Sequence, residues 1–239
     1  MKALILAAGR GSRLQPLTDE TPKPLLPVGG FRLCDWQFAA CQKAGIREIV
    51  MNTAHLAESF ESIPQTYAKL GFQVSISREG NVASDALESL GGIVKALPIL
   101  TDGTEPFLVL AGDVVHDFDL KRLLAKSDLL RGNRLDAHLV AVKNPDFHKS
   151  GDLRVADDGT VHPGAGPHTY GCLMIVNPRI FKGLPVQRAK LFPWLWEKRL
   201  TAEVHDGFWG NIGTVGEYEA LKKNLKAMDW ISFEGTEND

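Results

Sequence analysis

The stretch Leu6-Ala-Ala-Gly-Arg-Gly-Ser-Arg13 follows directly on the apolar run Ala3–Leu6 near the start of the chain. The apolar run predicts a buried β-strand, so the glycine-rich turn leaves the carboxyl end of a central strand, where open α/β sheets bind ligands. Glycines let a ligand approach the backbone closely, and Arg10, Arg13 and Lys23 add fixed positive charge. The stretch therefore predicts a loop that binds a polyphosphate.

Two better-known phosphate loops do not fit this stretch. A Walker A loop requires a lysine directly after the second glycine of Gly-x-x-x-x-Gly, and no such lysine occurs here. The dinucleotide fingerprint Gly-x-Gly-x-x-Gly fails at its third glycine, where Leu14 stands. The acidic residue that dinucleotide-binding folds place after the second strand is also missing, because that run leads into Asn52-Thr53.

The composition is that of a globular protein. The chain has 239 residues, of which 44% are hydrophobic and 23% charged, and its formal net charge is −2. A broad basic face is not expected at this charge, so we expect neither nucleic acid nor a membrane surface as a partner. Cys34, Cys41 and Cys172 lack metal or redox spacing and are predicted to be free thiols. Because the chain begins with a strand and shows neither a signal peptide nor a bilayer-length apolar run, we expect a cytoplasmic protein.

Apolar runs alternate with helical patterns along the chain and predict an α/β fold. The predicted strands are Ala3–Leu6, Glu48–Asn52, Gln73–Ser77, Phe107–Leu110, Ala137–Val142 and Gly171–Val176. The predicted helices are Cys34–Ala44, Leu56–Leu70, Ser89–Leu97, Leu120–Leu124 and Gly216–Met228. Strands separated by helical segments favour right-handed crossovers, so we expect a doubly wound, mostly parallel, Rossmann-like sheet. The segment Leu153–Val161 predicts a small β-hairpin laid over that core.

Residues beyond the glycine-rich loop indicate which family the chain resembles. Ser12-Arg13, Pro16-Leu17-Thr18 and Pro22-Lys-Pro-Leu-Leu-Pro27 closely resemble the signature of the sugar-1-phosphate nucleotidyltransferases. The resemblance implies a GT-A-like version of the fold and a Mg²⁺-dependent transfer of a nucleotidyl group from a nucleoside triphosphate to a sugar-1-phosphate. It also implies that Lys23 acts catalytically at the α-phosphate and that Arg13 binds the departing pyrophosphate. A lysine between two prolines is a well-fixed charge for such a role.

Two further positions are candidates for holding the metal ion. Asp113 follows the buried run Phe107–Leu110 and is therefore expected beside the glycine-rich loop. A carboxylate suits Mg²⁺, and the plain alternative is a solvated turn aspartate. In the resembled family this Gly-Asp aspartate binds the catalytic metal, which implies that Asp113 is catalytic too. The family's second ligand is commonly the Asp of Asp-x-Gly-Thr, where this chain has Asn211. An amide carbonyl can bind Mg²⁺ without adding charge, and a turn-forming asparagine is the alternative.

Nucleotide recognition is predicted to involve the glycine-rich loop and two later segments. These are Glu79-Gly80 and Ala86–Ile93, of which the second resembles Leu-Glu-Thr-Gly-Gly-Gly-Ile of bacterial N-acetylmuramate-1-phosphate uridylyltransferases, with departures at Ser89 and Leu90. Adjacent glycines at a helix start let a flat base lie against the backbone, and a plain helix entry is the alternative. The predicted nucleotide-binding residues are Leu6, Ala7, Ala8, Gly9, Gly11, Ser12, Arg13, Lys23, Glu79, Glu88, Gly91 and Gly112.

The sugar side of the site distinguishes branches of the family. The Glu-Lys-Pro that thymidylyltransferases for glucose-1-phosphate show after the hairpin is missing after Val161. The bacterial branch named above also lacks it, and it shares a Gly-Asp pair, an aromatic-Ser/Thr-Gly strand entry and a Lys-Leu-x-Pro-x-Leu run. The resemblance implies that the sugar phosphate is bound by Gly151, Asp152, Thr169, Gly171 and Lys190.

The hypothesis that follows is uridylyl transfer from UTP to N-acetylmuramate-1-phosphate in peptidoglycan recycling. The alternatives are guanylyl or thymidylyl transfer to mannose-1-phosphate or glucose-1-phosphate, and a non-catalytic nucleotide-sugar-binding regulator, which Leu90 and Asn211 motivate. We expect a single domain over residues 1–239, with a nucleotide-binding part over about 1–115, a sugar-phosphate-binding part over about 116–228 and an acidic tail at 229–239. The residues leave the oligomeric state open.

Overall fold

A mixed sheet with helices on both faces forms the centre of the molecule. The computed structural model describes residues 1–224, 231 and 233. Its strands are β1 (Ala3–Leu6), β2 (Pro27–Val28), β3 (Phe31–Arg32), β4 (Glu48–Thr53), β5 (Gln73–Arg78), β6 (Phe107–Ala111), β7 (Val114–His116), β8 (Ala137–Lys143), β9 (Leu153–Val155), β10 (Val161–Pro163), β11 (His168–Val176), β12 (Leu200–His205) and β13 (Trp209–Asn211). Its helices are α1 (Leu17–Glu20), α2 (Asp35–Lys43), α3 (Ile63–Ala68), α4 (Glu88–Leu100), α5 (Lys121–Leu124), α6 (Ser127–Arg131) and α7 (Val215–Lys223). In this described part of the chain, no helix has the length and apolar character that crossing a bilayer requires.

The central sheet is mostly parallel, as predicted. Strands β5, β4, β1 and β6 lie side by side and run in the same direction. Strand β11 lies antiparallel between β6 and β8, and β12 continues the sheet parallel to β8. Mixed sheets of this kind are common in α/β proteins, and the reversal at β11 leaves the parallel order of β1, β4 and β6 intact.

Separate hydrophobic layers bury the two faces of the sheet. Along β1, Ala3 and Ile5 belong to one cluster and Leu4 to the other, because successive side chains of a strand point to opposite faces. Phe38 of α2 and Tyr67 of α3 pack in the first cluster, and α4 packs in the second. Helices on both faces make this the doubly wound arrangement that the sequence predicts.

The predicted helix Leu56–Leu70 is wrong as a continuous element. The segment contains a 3-10 turn at Ala57–Phe60 and then α3. Leu56 has a φ of 51°, which a right-handed helix does not accommodate. Pro64 lies in the first turn of α3, where a missing N–H removes no helical hydrogen bond, whereas it would break one in a helix interior.

The remaining differences are elements that were not predicted and the bounds of two that were. The elements that were not predicted are strands β2, β3, β7, β12 and β13 and helices α1 and α6. The predicted hairpin is present as β9 and β10: it joins the sheet at the start of β11, and Leu153, Val155 and Val161 pack in the second hydrophobic cluster. The last predicted helix ends at Lys223, because Asn224 has left helical backbone angles. Its predicted remainder to residue 228 and the acidic tail at 229–239 lie outside the described residues, apart from Ile231 and Phe233.

The carboxyl ends of β1, β4 and β6 coincide. Leu6, the last residue of β1, is paired with Asn52 on one side and with Ala111 on the other. The Gly112 N–H donates to the Leu6 carbonyl at 2.9 Å, which ties the start of the loop after β6 to the end of β1. This edge of the sheet therefore brings the glycine-rich loop, Asn52 and Asp113 together.

Candidate functional site

The glycine-rich loop turns sharply at Gly11. This residue has a φ of +67°, in the left-handed region where glycine is unstrained, and a methyl group on it would lie 2.9 Å from Thr18 Cγ2 and 3.2 Å from Lys23 Cβ. Its carbonyl accepts hydrogen bonds from the Leu14 N–H and the Thr18 hydroxyl, both at 2.9 Å. Glycine is therefore required at this position for the turn and for its packing.

Asn52 connects the glycine-rich loop to the segment after β5. Its side-chain carbonyl accepts from the Ala7 N–H at 2.7 Å, and its amide donates to Glu79 Oε1 at 2.6 Å. The other oxygen of Glu79 accepts from the Leu87 N–H at 2.6 Å. Burial raises the pKa of Glu79, and these hydrogen bonds partly offset that cost. Each oxygen of Glu79 accepts a hydrogen bond within the protein, so Glu79 connects two loops, and its predicted contact with the nucleotide stays a prediction.

Arg10 lies at the cleft, and its guanidinium is engaged by neighbouring groups of the protein. Its guanidinium forms an ion pair with Asp19, donates to the Thr18 carbonyl at 2.6 Å and lies 3.0 Å from His55 Nε2. These contacts hold the loop to α1, and the expectation that Arg10 supplies charge to a phosphate stays a prediction. Arg13 is exposed, and its guanidinium lies against Gly213, where a methyl group would approach it to 3.0 Å.

Lys23 and Asp113 form an ion pair at the edge of the sheet where β1 and β6 end. Lys23 begins a 3-10 turn between two prolines, and Asp113 follows β6 directly. The lysine side chain is 11% exposed and the aspartate side chain 29%. The lysine predicted to act at the α-phosphate and the aspartate predicted to bind the metal are therefore in direct contact.

Strand pairing brings the backbone of Asn211 close to that of Asp113, and Asn211 lines a neighbouring cavity together with Val115, Phe147 and Phe208. β13 pairs with β7 so that Asn211 faces Val114, and the Ile212 N–H donates to the Asp113 carbonyl at 3.1 Å. The side-chain carbonyl oxygen of Asn211 is buried and has no hydrogen-bond partner among the described residues. A buried acceptor without a partner is costly, and a bound cation would satisfy it.

The donor set beside the cleft fits Mg²⁺. Within residues 1–224, 231 and 233 there is no cluster of three or more His, Cys, Asp or Glu side chains that could hold a metal. Mg²⁺ commonly takes one or two protein oxygens and completes its shell with water and substrate phosphates. Asp113 and Asn211 could supply such a pair of oxygens.

Two connected cavities form the cleft. The first, of about 320 Å³, is lined by Leu6, Ala7, Gly9, Gly11, Ser12, Arg13, Lys23, Pro24, Asp113 and Gly213. The second, of about 440 Å³, shares Leu6, Gly9, Gly11, Ser12 and Asp113, and adds Ala8, Arg10, Asn52, Ala83, Ala86, Glu88, Ser89, Ala111 and Arg188. Most of the predicted nucleotide-binding residues line these cavities. Sequence reasoning missed Asn52, Arg188 and Gly213, although the polar Asn52 at the end of an apolar run was a usable signal.

Gly91 and Gly112, which are predicted to bind the nucleotide, have close protein neighbours. A methyl group on Gly91 would overlap the carbonyl oxygen of Gln187, and one on the adjacent Gly92 would lie 2.7 Å from Asn52 Nδ2. A methyl group on Gly112 would lie 3.0 Å from the Leu6 carbonyl. The glycine pair therefore makes room for neighbouring protein segments on this side, and the predicted contact of Gly91 and Gly112 with the nucleotide stays a prediction.

The predicted sugar-phosphate residues lie outside the two cavities. The oxygens of Asp152 contact His148 Nε2 and the Tyr170 N–H, each at 2.9 Å, and the Thr169 hydroxyl donates to Asn144 at 2.9 Å. Gly151 has a φ of +63° and is enclosed by neighbouring carbonyls. Gly151 and Asp152 lie in the turn before β9, which is hydrogen-bonded to the start of β11, and Thr169 lies in β11 itself; their predicted contact with a sugar phosphate stays a prediction. The same holds for Gly171, whose carbonyl accepts from Trp209 Nε1 at 2.9 Å, and for the exposed Lys190.

Cys172 lies in a bulge of β11 next to the end of β6. Its φ of +62° is unusual for a residue with a side chain, and the register of β11 against β8 shifts around it. Burial raises the pKa of its thiol to about 12, with the Asp113 carboxylate contributing in the same direction. The thiol is therefore neutral at ordinary pH, in line with the predicted free and unreactive cysteines.

Comparison with known proteins agrees with this geometry. The family model described as nucleotidyl transferase matches residues 2–162. The N-acetylmuramate alpha-1-phosphate uridylyltransferase of Neisseria meningitidis serogroup B is 39% identical over 223 residues, which cover 90% of this chain and 94% of that protein. The mannose-1-phosphate guanylyltransferase catalytic subunit beta of Drosophila pseudoobscura pseudoobscura is 30% identical over 225 residues. The match covers 89% of this chain and 59% of that protein. Among solved structures, a putative glucose-1-phosphate thymidylyltransferase from Bacillus anthracis, in complex with a sucrose, has a TM-score of 0.74 at 20% identity and covers 98% of this chain, while the match covers 97% of that chain.

Proposed function

Because the chain belongs to the nucleotidyl transferase family and is a sugar-1-phosphate nucleotidyltransferase, we propose that it transfers the uridylyl group of UTP to N-acetylmuramate-1-phosphate. The products are UDP-N-acetylmuramate and pyrophosphate, and the reaction belongs to peptidoglycan recycling in the cytoplasm. The observation that carries the proposal is the ion pair of Lys23 and Asp113 beside the glycine-rich loop, with the unpartnered Asn211 carbonyl on the strand whose backbone pairs next to Asp113. The choice of UTP and of the sugar is supported by the 39% identity to the Neisseria enzyme over nearly the whole of both chains.

Mg²⁺ would be held by Asp113 and Asn211. When bound, it supplies positive charge to the phosphate oxygens of both substrates and so favours the approach of two anions. The carboxylate supplies the charge of the site and the amide supplies a neutral oxygen. Lys23, already in contact with Asp113, is close enough to the same position to contact an α-phosphate there.

The chain needs to position the reactants more than it needs to activate them. A phosphate oxygen of the sugar-1-phosphate attacks the α-phosphorus of UTP, and the bond from that phosphorus to the β-phosphate oxygen breaks as pyrophosphate leaves. The attacking phosphate is already an anion, so no side chain has to remove a proton. Lys23 neutralises charge at the α-phosphate, and Arg13 and the loop N–H groups hold the leaving pyrophosphate.

The division of the chain follows from this scheme. We assign nucleotide binding to residues of about 1–115 and sugar-phosphate binding to residues of about 116–228, within one domain. The sugar phosphate would then approach Asp113 from the side of β11 and β13. Gly151, Asp152, Thr169, Gly171 and Lys190 remain the proposed sugar side on the strength of the family resemblance.

A second candidate is guanylyl transfer to mannose-1-phosphate. It is favoured by the 30% identity to the Drosophila guanylyltransferase subunit over 89% of this chain. The reaction geometry would be the same, since only the base and the sugar change.

A substrate matrix tests the proposal. Pyrophosphate release is measured with Mg²⁺ for UTP, dTTP, GTP, CTP and ATP, each combined with N-acetylmuramate-1-phosphate, N-acetylglucosamine-1-phosphate, glucose-1-phosphate and mannose-1-phosphate. We expect strong turnover with UTP and N-acetylmuramate-1-phosphate. Strong turnover with GTP and mannose-1-phosphate instead would establish the second candidate. No turnover with any pair, while nucleotide still binds, would favour the non-catalytic regulator.

Substitution at Asn211 tests the metal assignment. Asn211→Leu removes the unpartnered carbonyl without leaving a broken hydrogen bond, and we expect the Mg²⁺ concentration for half-maximal rate to rise by about tenfold or more. Asn211→Asp adds a charge and should lower that concentration. The control is Asn133→Asp, in the loop before β8 at the opposite edge of the sheet, which should change nothing. Identical Mg²⁺ dependence in all three variants and the wild type would exclude Asn211 as a ligand.

A further inference from the structure

The second cavity contains few polar side chains that lack a partner within the protein. Asn52 and Ser89, which line it, are both engaged in hydrogen bonds to other segments. Glu88 and Arg188 are the two oppositely charged side chains of this cavity that keep free hydrogen-bonding groups among the described residues. A single hydrogen bond of 3.2 Å joins Arg188 Nη2 to Glu88 Oε1. The second carboxylate oxygen and the remaining guanidinium N–H groups have no hydrogen-bond partner in the part of the chain that the structure describes.

The backbone around Arg188 is held firmly against the start of α4. The Ala189 N–H donates to the Leu87 carbonyl at 2.9 Å, and the Ala189 carbonyl accepts from the Leu90 N–H at 2.9 Å. The close fit of Gly91 against Gln187 belongs to the same junction. A side chain that extends from so fixed a backbone can act with defined geometry, which a specificity-determining residue needs.

Glu88 stands where the backbone favours glycine. Its φ is +59°, so it is among the few non-glycine residues of the described chain in the left-handed region. Strain of this kind tends to persist where the side chain has a function. The carboxylate has one neighbour of opposite charge, Arg188, and its side chain is 36% exposed against 62% for the arginine. The strained position places this carboxylate on the wall of the cavity.

We propose that Glu88 and Arg188 together select the base of the nucleoside triphosphate, because they recognise a ring N–H that lies next to a carbonyl group. The carboxylate of Glu88 accepts a hydrogen bond from the ring N–H, and the guanidinium of Arg188 donates to the neighbouring carbonyl oxygen. This inference rests on the nucleotidyl transfer proposed above and names the class of base that the site accepts.

The chemistry of the bases makes the pair selective. Uracil, thymine and guanine each carry a ring N–H beside a carbonyl. Cytosine and adenine carry an unprotonated ring nitrogen beside an amino group, so the same placement would set acceptor against acceptor at Glu88 and donor against donor at Arg188. Rejection by mismatched polar groups is stronger than selection by shape alone.

Equilibrium binding of the five nucleotides, without any sugar phosphate, tests the inference. The wild-type protein should bind UTP, dTTP and GTP at least about tenfold more tightly than CTP and ATP. Glu88→Gln places an amide donor opposite the ring nitrogen, so the ratio of CTP to UTP dissociation constants should fall by about tenfold. Arg188→Met should reduce the same ratio. Glu88→Gly should also do so, while it relieves the backbone strain and keeps the fold, as checked by thermal unfolding.

The matched control is Lys182→Met, which removes an exposed cation that precedes the same segment and does not line the cavity. It should leave all ratios unchanged. Merely structural damage would weaken the binding of every nucleotide alike, so it would not move the ratio. Preference of the wild type for CTP or ATP, or ratios unaffected by the Glu88 and Arg188 variants, would overturn the inference. Tightest binding of GTP, with ratios that respond to the variants, would uphold the inference and contradict the choice of UTP.

Discussion

Replacing Asp113 with alanine is expected to reduce kcat by about a thousandfold while leaving the fold intact. The carboxylate pairs with Lys23 and is the one charged oxygen ligand assigned to Mg²⁺, so its removal leaves the reacting phosphates without the charge that draws them together. The fold should survive because the side chain is partly exposed, and because the hydrogen bond from the Ile212 N–H uses the backbone carbonyl, which alanine retains. Pyrophosphate release at saturating substrate and Mg²⁺ measures the effect.

The control for this variant is Asp157→Ala. Asp157 is an exposed aspartate in the turn of the β9–β10 hairpin, outside both cavities. Its activity and its midpoint of thermal unfolding should equal those of the wild type. If Asp113→Ala kept more than about a tenth of wild-type kcat with a normal unfolding midpoint, the metal assignment would be wrong, because the loss of a metal-binding charge has a far larger effect.

Lys23→Met is expected to lower kcat by about a hundredfold to a thousandfold. Methionine fills a similar volume in this narrow site, where the lysine side chain is 11% exposed, but it offers no charge to the α-phosphate. Lys23→Arg keeps the charge and should retain more activity than Lys23→Met. A fall in substrate affinity with unchanged kcat would show that Lys23 only binds the ground state.

The double variant Lys23→Met with Asp113→Ala gives a second measure of the same proposal. Groups that act as a unit have effects that do not multiply, so the double variant should be little worse than Asp113→Ala alone. Effects that multiplied fully would mean that the two side chains act independently, despite their contact. Thermal unfolding of each protein separates loss of activity from loss of fold.

Local sequence patterns were sufficient to predict the central strands and the loops that leave them. Runs such as Phe107–Leu110 are apolar on both faces. A carboxylate that follows such a run is expected at the edge of the sheet, because the sheet's interior is apolar. The position of Asp113 next to the glycine-rich loop could therefore be predicted. Strand β12 was missed although Leu200, Ala202 and Val204 alternate with polar residues, which is a signal for a half-buried strand.

Contacts between distant segments could not be predicted in the same way. Arg188 reaches Glu88 because a segment far along the chain is hydrogen-bonded to the start of α4, and no local pattern encodes that pairing. Gly91 was predicted to contact the nucleotide because a glycine pattern indicates that space is needed there. The pattern does not indicate what fills that space. The structure shows that Gln187 does. The charge of Arg10 was visible in the sequence, but its engagement by Asp19 was not.

The attachment of the Arg188 segment to α4 has a consequence for how such proteins diversify. The junction is made largely by peptide groups, which every amino acid except proline carries in full, so side chains there can be exchanged without loosening the scaffold. Mutation can therefore alter which donor molecule is preferred while the reacting centre at Asp113 stays as it is. Grafting residues 182–193 and 86–91 together from a relative should transplant its preference, whereas grafting either stretch alone should leave a mismatched pair.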